Sequence, residues 1–224
     1  SNAGLPGFWP HSAIYVGTPG EMEAYFDTPE VRAHFRRETG HDGLVAYLKA
    51  ERPQIWDRYT SPDTDGLPRS VLEARSEGVI LNSFHEGVSV DYAGAMRPKA
   101  SRLDKAKAIA EGFGMYGLPY DFNFDFLTDQ SVVCTELVYK SWDRAEVETT
   151  PGYDPTLVMG RTTLPANELV RQFDEQRAAG ASNLEFVYFL DGREANSDAV
   201  VRGEEAFRDS WERSKWDFAE QCAR

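Results

Sequence analysis

The sequence predicts an α+β fold: an antiparallel β-sheet with flanking helices and a helical insertion. Three observations point there. From Ser70 the apolar residues take on strand character, in Val71-Leu72-Glu73-Ala74, Gly78-Val79-Ile80-Leu81-Asn82 and Val88-Ser89-Val90-Asp91-Tyr92. Short connections, including the turn 84–87, make these runs an antiparallel meander. Ser101–Tyr116 and the residues after Cys134 instead place their apolar positions at helical spacing. Residues 21–66, charged over Glu21–Thr39, read as a largely helical excursion between two strands.

In chain order, Ser1-Asn2-Ala3 reads as a remnant of tag removal and stands outside the fold argument. Gly4–Pro10 is a loop rich in Gly, Pro and aromatic residues. His11–Gly17 reads as a short buried strand, closed by Gly17 and the turn Thr18-Pro19-Gly20. In the insertion, Met22, Tyr25 and Phe26 share a helix face, as do Val31 and Phe35. Thr28-Pro29 supplies a cap followed by a first-turn proline, and Gly40–Gly43 breaks the chain. Leu44–Lys49 and Pro53–Tyr59 are further helical pieces, before the loop Ser61–Gly66.

Ser101 is an N-cap, with Leu103, Ala106, Ile109, Ala110 and Phe113 on one helix face. Pro151–Leu164 is loop-rich, Pro165–Arg177 is a helix, and Leu184–Leu190 is a strand. Glu204 to the end is a charged amphipathic helix carrying Phe207, Trp211, Trp216 and Phe218. The expectation is one domain over 4–224, with the insertion at about 21–66 and a C-terminal helix at about 203–224.

The formal charge of -13 argues against a nucleic-acid partner, and no basic run or zinc-finger spacing opposes that. No apolar stretch reaches membrane-spanning length. Localisation is left open. The four histidines are scattered, with no HExxH and no CxxC, so no metal is expected. The two cysteines, Cys134 and Cys222, permit a disulfide only if the fold brings them together.

Cys134 is the centre of the stretch Gly117–Trp142. Val132 and Val133 precede it, and Leu137, Val138, Tyr139 and Trp142 follow at helical spacing. This puts the thiol at the first turn of a helix, where unpaired N–H groups and the dipole favour a thiolate. Two readings stand: an activated nucleophile, or a small buried hydrophobe. His11 begins a strand and Glu73 lies within another. Taken alone, each has a plain structural explanation: a hydrogen-bonded histidine, and a charge on the solvent face. Together with Cys134 they supply nucleophile, base and orienting group. His34, His41 and His85 are read as surface residues.

At this point the chain resembles the circularly permuted, NlpC-type, papain-like cysteine hydrolases. These are the YiiX-like group, which also has lecithin retinol acyltransferase among its relatives. The resemblance rests on HSAIYVG (11–17), VLEARSEGV (71–79), GLPYDFNFDF (117–126), VVCTELVYKSW (132–142), and the Pro-led helix and strand of 165–190. It leaves out 21–66 and the C-terminal helix. Thr135 stands where the family has a serine, and the long insertion separates the histidine strand from the strand bearing the third residue.

The resemblance implies Cys134 as nucleophile, His11 as base and Glu73 as its orienting partner, with Glu77 or a main-chain carbonyl as substitutes for Glu73. It implies Tyr120 beside the cysteine, contacting substrate or oxyanion, and Asp121 as a second neighbour. The expected activity is a thiol hydrolase acting on an amide or ester, such as a cell-wall peptide or an acylated amino acid. An acyltransferase on lipid or acyl substrates and a non-catalytic binding module are the alternatives. The expected partner is thus a small-molecule, peptide or lipid-like substrate, and no cofactor is needed for covalent thiol chemistry.

Overall fold

The computed structural model of the chain describes residues 7–122, 126, 129–158, 160–193 and 198–214. Its first sheet holds β1 (Ile14–Tyr15), β2 (Arg69–Arg75) and β3 (Gly78–Ser83), in the order β1-β2-β3 and antiparallel. Leu72 is the hub, paired with Ile14 on one side and Leu81 on the other. The β2 strand is buried from Arg69 to Ala74, so neither of its faces is a solvent face.

The insertion forms part of that burial. It comprises α1 (Pro19–Phe26), α2 (Pro29–Thr39), α3 (Leu44–Glu51) and α4 (Pro53–Thr60). Thr18 and Glu21 close a capping box on α1, and Thr28 caps α2 ahead of Pro29. Met22, Phe26, Val31, Phe35, Leu44, Leu48, Ile55 and Tyr59 join the same apolar cluster as Leu72, Leu81, Phe113, Val132 and Leu137. The Tyr59 hydroxyl donates to the Gly17 carbonyl at 2.8 Å, tying the end of the excursion to its start.

The meander stops at two of its three predicted strands. Ser83 accepts the Glu86 N–H and caps a short helix, α5 (Phe84–Gly87), where a turn was expected, and this redirects the chain. Val88–Tyr92 is then not a strand. The Tyr92 ring stacks on Phe8 with centroids 4.0 Å apart, and its hydroxyl donates to the Phe8 carbonyl. Alternation there serves aromatic packing and not a ladder.

The strand comes later, as β4 (Ala93–Pro98), in a second antiparallel sheet. That sheet has the order β4-β7-β8, with β7 at Leu184–Arg193 and β8 at Asp198–Arg202. The α6 helix (Arg102–Gly114) carries the predicted Ser101 cap. The predicted loop 151–164 contains a hairpin, β5 (Thr156–Val158) with β6 (Arg161–Thr163), and α8 (Ala166–Ala178) follows.

A second apolar cluster joins the two ends of the described chain. Phe8 and Trp9 pack with Phe173, Phe189 and Phe207. The Trp9 indole N–H donates to Ser210 Oγ at 2.8 Å, and the Phe8 N–H donates to Asn167 Oδ1 at 3.1 Å. The predicted C-terminal helix is interrupted within the described residues. It runs as α9 (Glu204–Asp209) and a 3-10 turn (Ser210–Glu212), and then becomes extended at Arg213. Trp216, Phe218 and Cys222 lie outside the described residues.

The β2–β3 hairpin also positions the segment ahead of the cysteine. Val79 N–H donates to the Leu118 carbonyl at 2.9 Å, and Gly117 N–H donates to the Val79 carbonyl at 3.0 Å. The approach is close because Gly78 has φ +105, and a Cβ there would lie 2.5 Å from the Leu118 oxygen. Gly78→Ala is therefore expected to cost about 2 kcal/mol, from left-handed strain and backbone displacement. Calorimetry should show a Tm lower by roughly 4–8 °C for a chain of this size.

Candidate active site

Cys134 is the first residue of α7 (Cys134–Asp143) and is buried. The β-branched pair before it is extended: Val132 bridges Tyr120 in parallel, and Val133 is the N-cap. Valine has no acceptor to offer the first turn, so only the reciprocal half of a capping box exists. Glu136 reaches back and accepts the Val133 N–H at 3.1 Å. The helix thus begins at the sulfur, and its N-cap residue Val133 contributes no side-chain cap.

Glu136 is fully buried, and its charge is answered by Lys140 at 2.6 Å. Lys140 in turn reaches Asp129 at 2.9 Å, and Arg144 also pairs with Asp129. Burial drives the Glu136 carboxyl above its ordinary range, against the pull of Lys140 and the Val133 N–H, and the Asp121 charge pushes the same way.

Opposite the helix start lies the sheet. His11 Nε2 is 2.7 Å from Glu73 Oε2. The other carboxylate oxygen, Oε1, accepts from Asn82 Nδ2 at 2.6 Å, with the Arg75 guanidinium 3.7 Å away. Register explains the Asn82 contact. Glu73 pairs with Ile80, and Asn82 lies two residues further along β3 on the same face.

Glu73 is 3% exposed, so the plain alternative of a charge on a solvent face does not hold. Burial alone would raise its pKa, but the hydrogen bond and charge of His11, with Asn82 and Arg75, lower it overall. Glu77 is solvated and hydrogen-bonded to Ser76, away from His11.

His11 precedes the ladder instead of lying in it, because β1 is shorter than predicted. Its side chain keeps 38% of its surface exposed. The ring has both Cys134 and Glu73 as hydrogen-bond partners. Burial lowers the imidazole pKa, but the hydrogen bonds and charges of Cys134 and Glu73 outweigh it, and the net value rises from 6.5 to about 9. Three sequence candidates, Cys134, His11 and Glu73, are thereby brought together.

Tyr120 is nearly buried on the strand-like segment paired with Val132, two residues from Cys134. Its ring meets Phe122 edge-on at 5.1 Å, and Phe122 is 69% exposed. Asp121 is buried, donates its N–H to the Val132 carbonyl at 3.2 Å, and acts electrostatically on Glu136. Asn123–Asp125, Leu127 and Thr128 of the same predicted stretch lie outside the described residues. His41 pairs with Glu51, His34 lies by Arg37, and His85 is in α5, all apart from this site. Among the described residues, no group of three His, Cys, Asp or Glu could hold a metal ion.

Sequence reading missed Asn82, Glu136, Lys140 and Asp129. Two signals were present: a lone amide ending the apolar run Val79-Ile80-Leu81, and an i,i+4 Glu–Lys spacing in α7. The ion pair has a measurable consequence. Lys140→Met strands a fully buried carboxylate and should cost on the order of 3 kcal/mol in denaturant melts. The double variant with Glu136→Gln should recover part of that loss.

A family model described as "Permuted papain-like amidase enzyme, YaeF/YiiX, C92 family" matches residues 1–164. No curated protein and no solved structure matches the chain. Among the described residues, no helix is long and apolar enough to cross a membrane. The match covers well over half of the chain and includes all three residues gathered at the head of α7. The chain belongs to the YaeF/YiiX family of permuted papain-like amidases, and it is a hydrolase.

Proposed function

We propose that Cys134, His11 and Glu73 form the catalytic site, and that the enzyme cleaves an amide or ester through an acyl-enzyme. The observation that carries this reading is the continuous hydrogen-bonded chain from Glu73 through His11 to Cys134. Glu73 occupies Nε2, which leaves Nδ1 for the sulfur. A raised imidazole pKa and a thiolate favour one another, since each charge stabilises the other.

Cys134 Sγ attacks the acyl carbon, and the oxyanion forms near backbone N–H groups at the first turn of α7. Imidazolium gives its proton to the leaving amine or alcohol, and the C–N or C–O bond breaks. His11 then takes a proton from water, which attacks the thioester, releases the acid and restores the thiol pair. Glu73 keeps the ring oriented and stabilises its charged form, and Asn82 keeps Glu73 oriented.

Tyr120 and Asp121 flank the cysteine as the substrate-side neighbours in this reading. The substrate is a peptide-like or lipid-like amide or ester, and nucleic acid is not a partner. The same reading treats 4–224 as one domain of the NlpC-type arrangement, with the helices of 21–66 as its insertion.

A panel of aminoacyl amides and esters tests the reaction. Cys134→Ala should lose at least ~10³-fold in kcat/KM on any substrate found. Full turnover by that variant would remove the proposal. The pH profile has a defined sign. His11 must be protonated to expel the leaving group, so amide turnover should fall as pH rises through about 9. Glu73→Gln removes a charge that holds His11 up, so this alkaline limb should move to lower pH. The matching stability term is complete below 6.5 and lost as pH climbs past about 9.

A further inference from the structure

The C-terminal half of α7 carries a second feature, separate from the thiol. A cleft of about 220 Å³ lies there, lined by Tyr139, Trp142, Asp143, Tyr153 and Asp154, with Pro151 in its wall. Tyr139 and Trp142 are five and eight residues past Cys134, which places them roughly 7–12 Å further along the helix axis. The cleft is therefore a distinct location.

Its lining combines aromatic rings with two carboxylates, and none of the described lining residues is basic. The Tyr139 hydroxyl donates to Asp143 Oδ1 at 3.2 Å, and Asp154 also acts electrostatically on that phenol. The nearest basic side chains on α7 and just beyond it, Lys140 and Arg144, are engaged with Glu136 and Asp129. The end of a helix adds partial negative charge from its last carbonyls.

The far wall is pinned in place. Gln172 of α8 holds Asp154 at both backbone groups, accepting its N–H at 2.9 Å and donating to its carbonyl at 2.8 Å. Gln176 donates to the Gly152 carbonyl at 2.6 Å, and Asn183 donates to the Thr150 carbonyl at 3.1 Å. The Tyr153 hydroxyl is turned to Met96 Sδ, 3.8 Å away. Such anchoring lowers the ordering cost of binding.

We propose that this cleft binds a small organic cation, an ammonium or trimethylammonium head group held against the aromatic rings and balanced by Asp143 and Asp154. Aromatic faces attract such ions through their quadrupole, and carboxylates at the rim add charge complementarity. The proposal rests on the cleft alone and not on the catalytic reading.

Choline is the probe, titrated by calorimetry against the full chain, beside its neutral isostere in which carbon replaces the nitrogen. Choline should bind saturably, and the isostere at least ~5-fold more weakly. Trp142→Ala should weaken choline binding by a similar factor. So should the paired change Asp143→Asn with Asp154→Asn, which keeps side-chain shape. Cys134→Ser should bind as wild type does. Co-flotation with phosphatidylcholine vesicles, lost in Trp142→Ala, would assign a lipid-borne head group, and choline binding without co-flotation would assign a free one. Absence of saturable choline binding, equal binding of the isostere, or wild-type binding by the folded Asn pair would overturn the proposal.

Discussion

A carboxylate removed from water needs hydrogen bonds to stay charged, and Glu73 finds them in two places. Asn82 meets one oxygen and His11 the other. Both contacts depend on β2 lying in the middle of its sheet. The β3 strand supplies Asn82 through register, and the lead-in to β1 supplies His11 from the other side. A one-residue slip would turn Glu73 to the opposite face and break both bonds. The site therefore inherits its geometry from the pairing of Leu72 with Ile14 and Leu81.

The other half of the site is the head of α7, and its position is also determined from several directions. Gly78 lets β3 hold the Leu118 carbonyl, Tyr120 pairs with Val132, and Val133 leads directly into the cysteine. Below the first turn, Glu136, Lys140 and Asp129 form a partly buried chain of charges. Because Glu136 takes the Val133 N–H, the entry to the helix is anchored although Val133 itself has no capping side chain. The insertion contributes by packing: its apolar residues lie in the same cluster as Leu72 and Leu137, so it buries the strand that carries Glu73.

Much of this was legible because the relevant signals are local. Helical spacing after Cys134, the Ser101 cap and the Thr28-Pro29 start all describe one element at a time, and each is present in the structure. Cys134, His11 and Glu73 could be named from residue type and strand order. Their contact could not be derived from spacing, since it joins elements far apart in sequence.

The failures have the same origin. Val88–Tyr92 alternates like a strand, but Phe8, eighty-four residues from Tyr92, takes the Tyr92 hydroxyl bond, and the ladder begins at Ala93. Taken alone, Glu73 read as a charge on the solvent face of an alternating strand, whereas β2 is buried from Arg69 to Ala74. Asn82 was invisible as a partner until the β2–β3 register was known.

The central claim is that His11 activates the Cys134 sulfur. The most direct measurement is the rate of Cys134 alkylation by iodoacetamide as a function of pH, read by mass spectrometry so that Cys222 is scored separately. The account predicts an apparent pKa well below the ordinary thiol value of about 8.5, returning toward it in His11→Ala. An ordinary titration in the folded wild-type protein, or a low value that His11→Ala leaves unchanged, would contradict it.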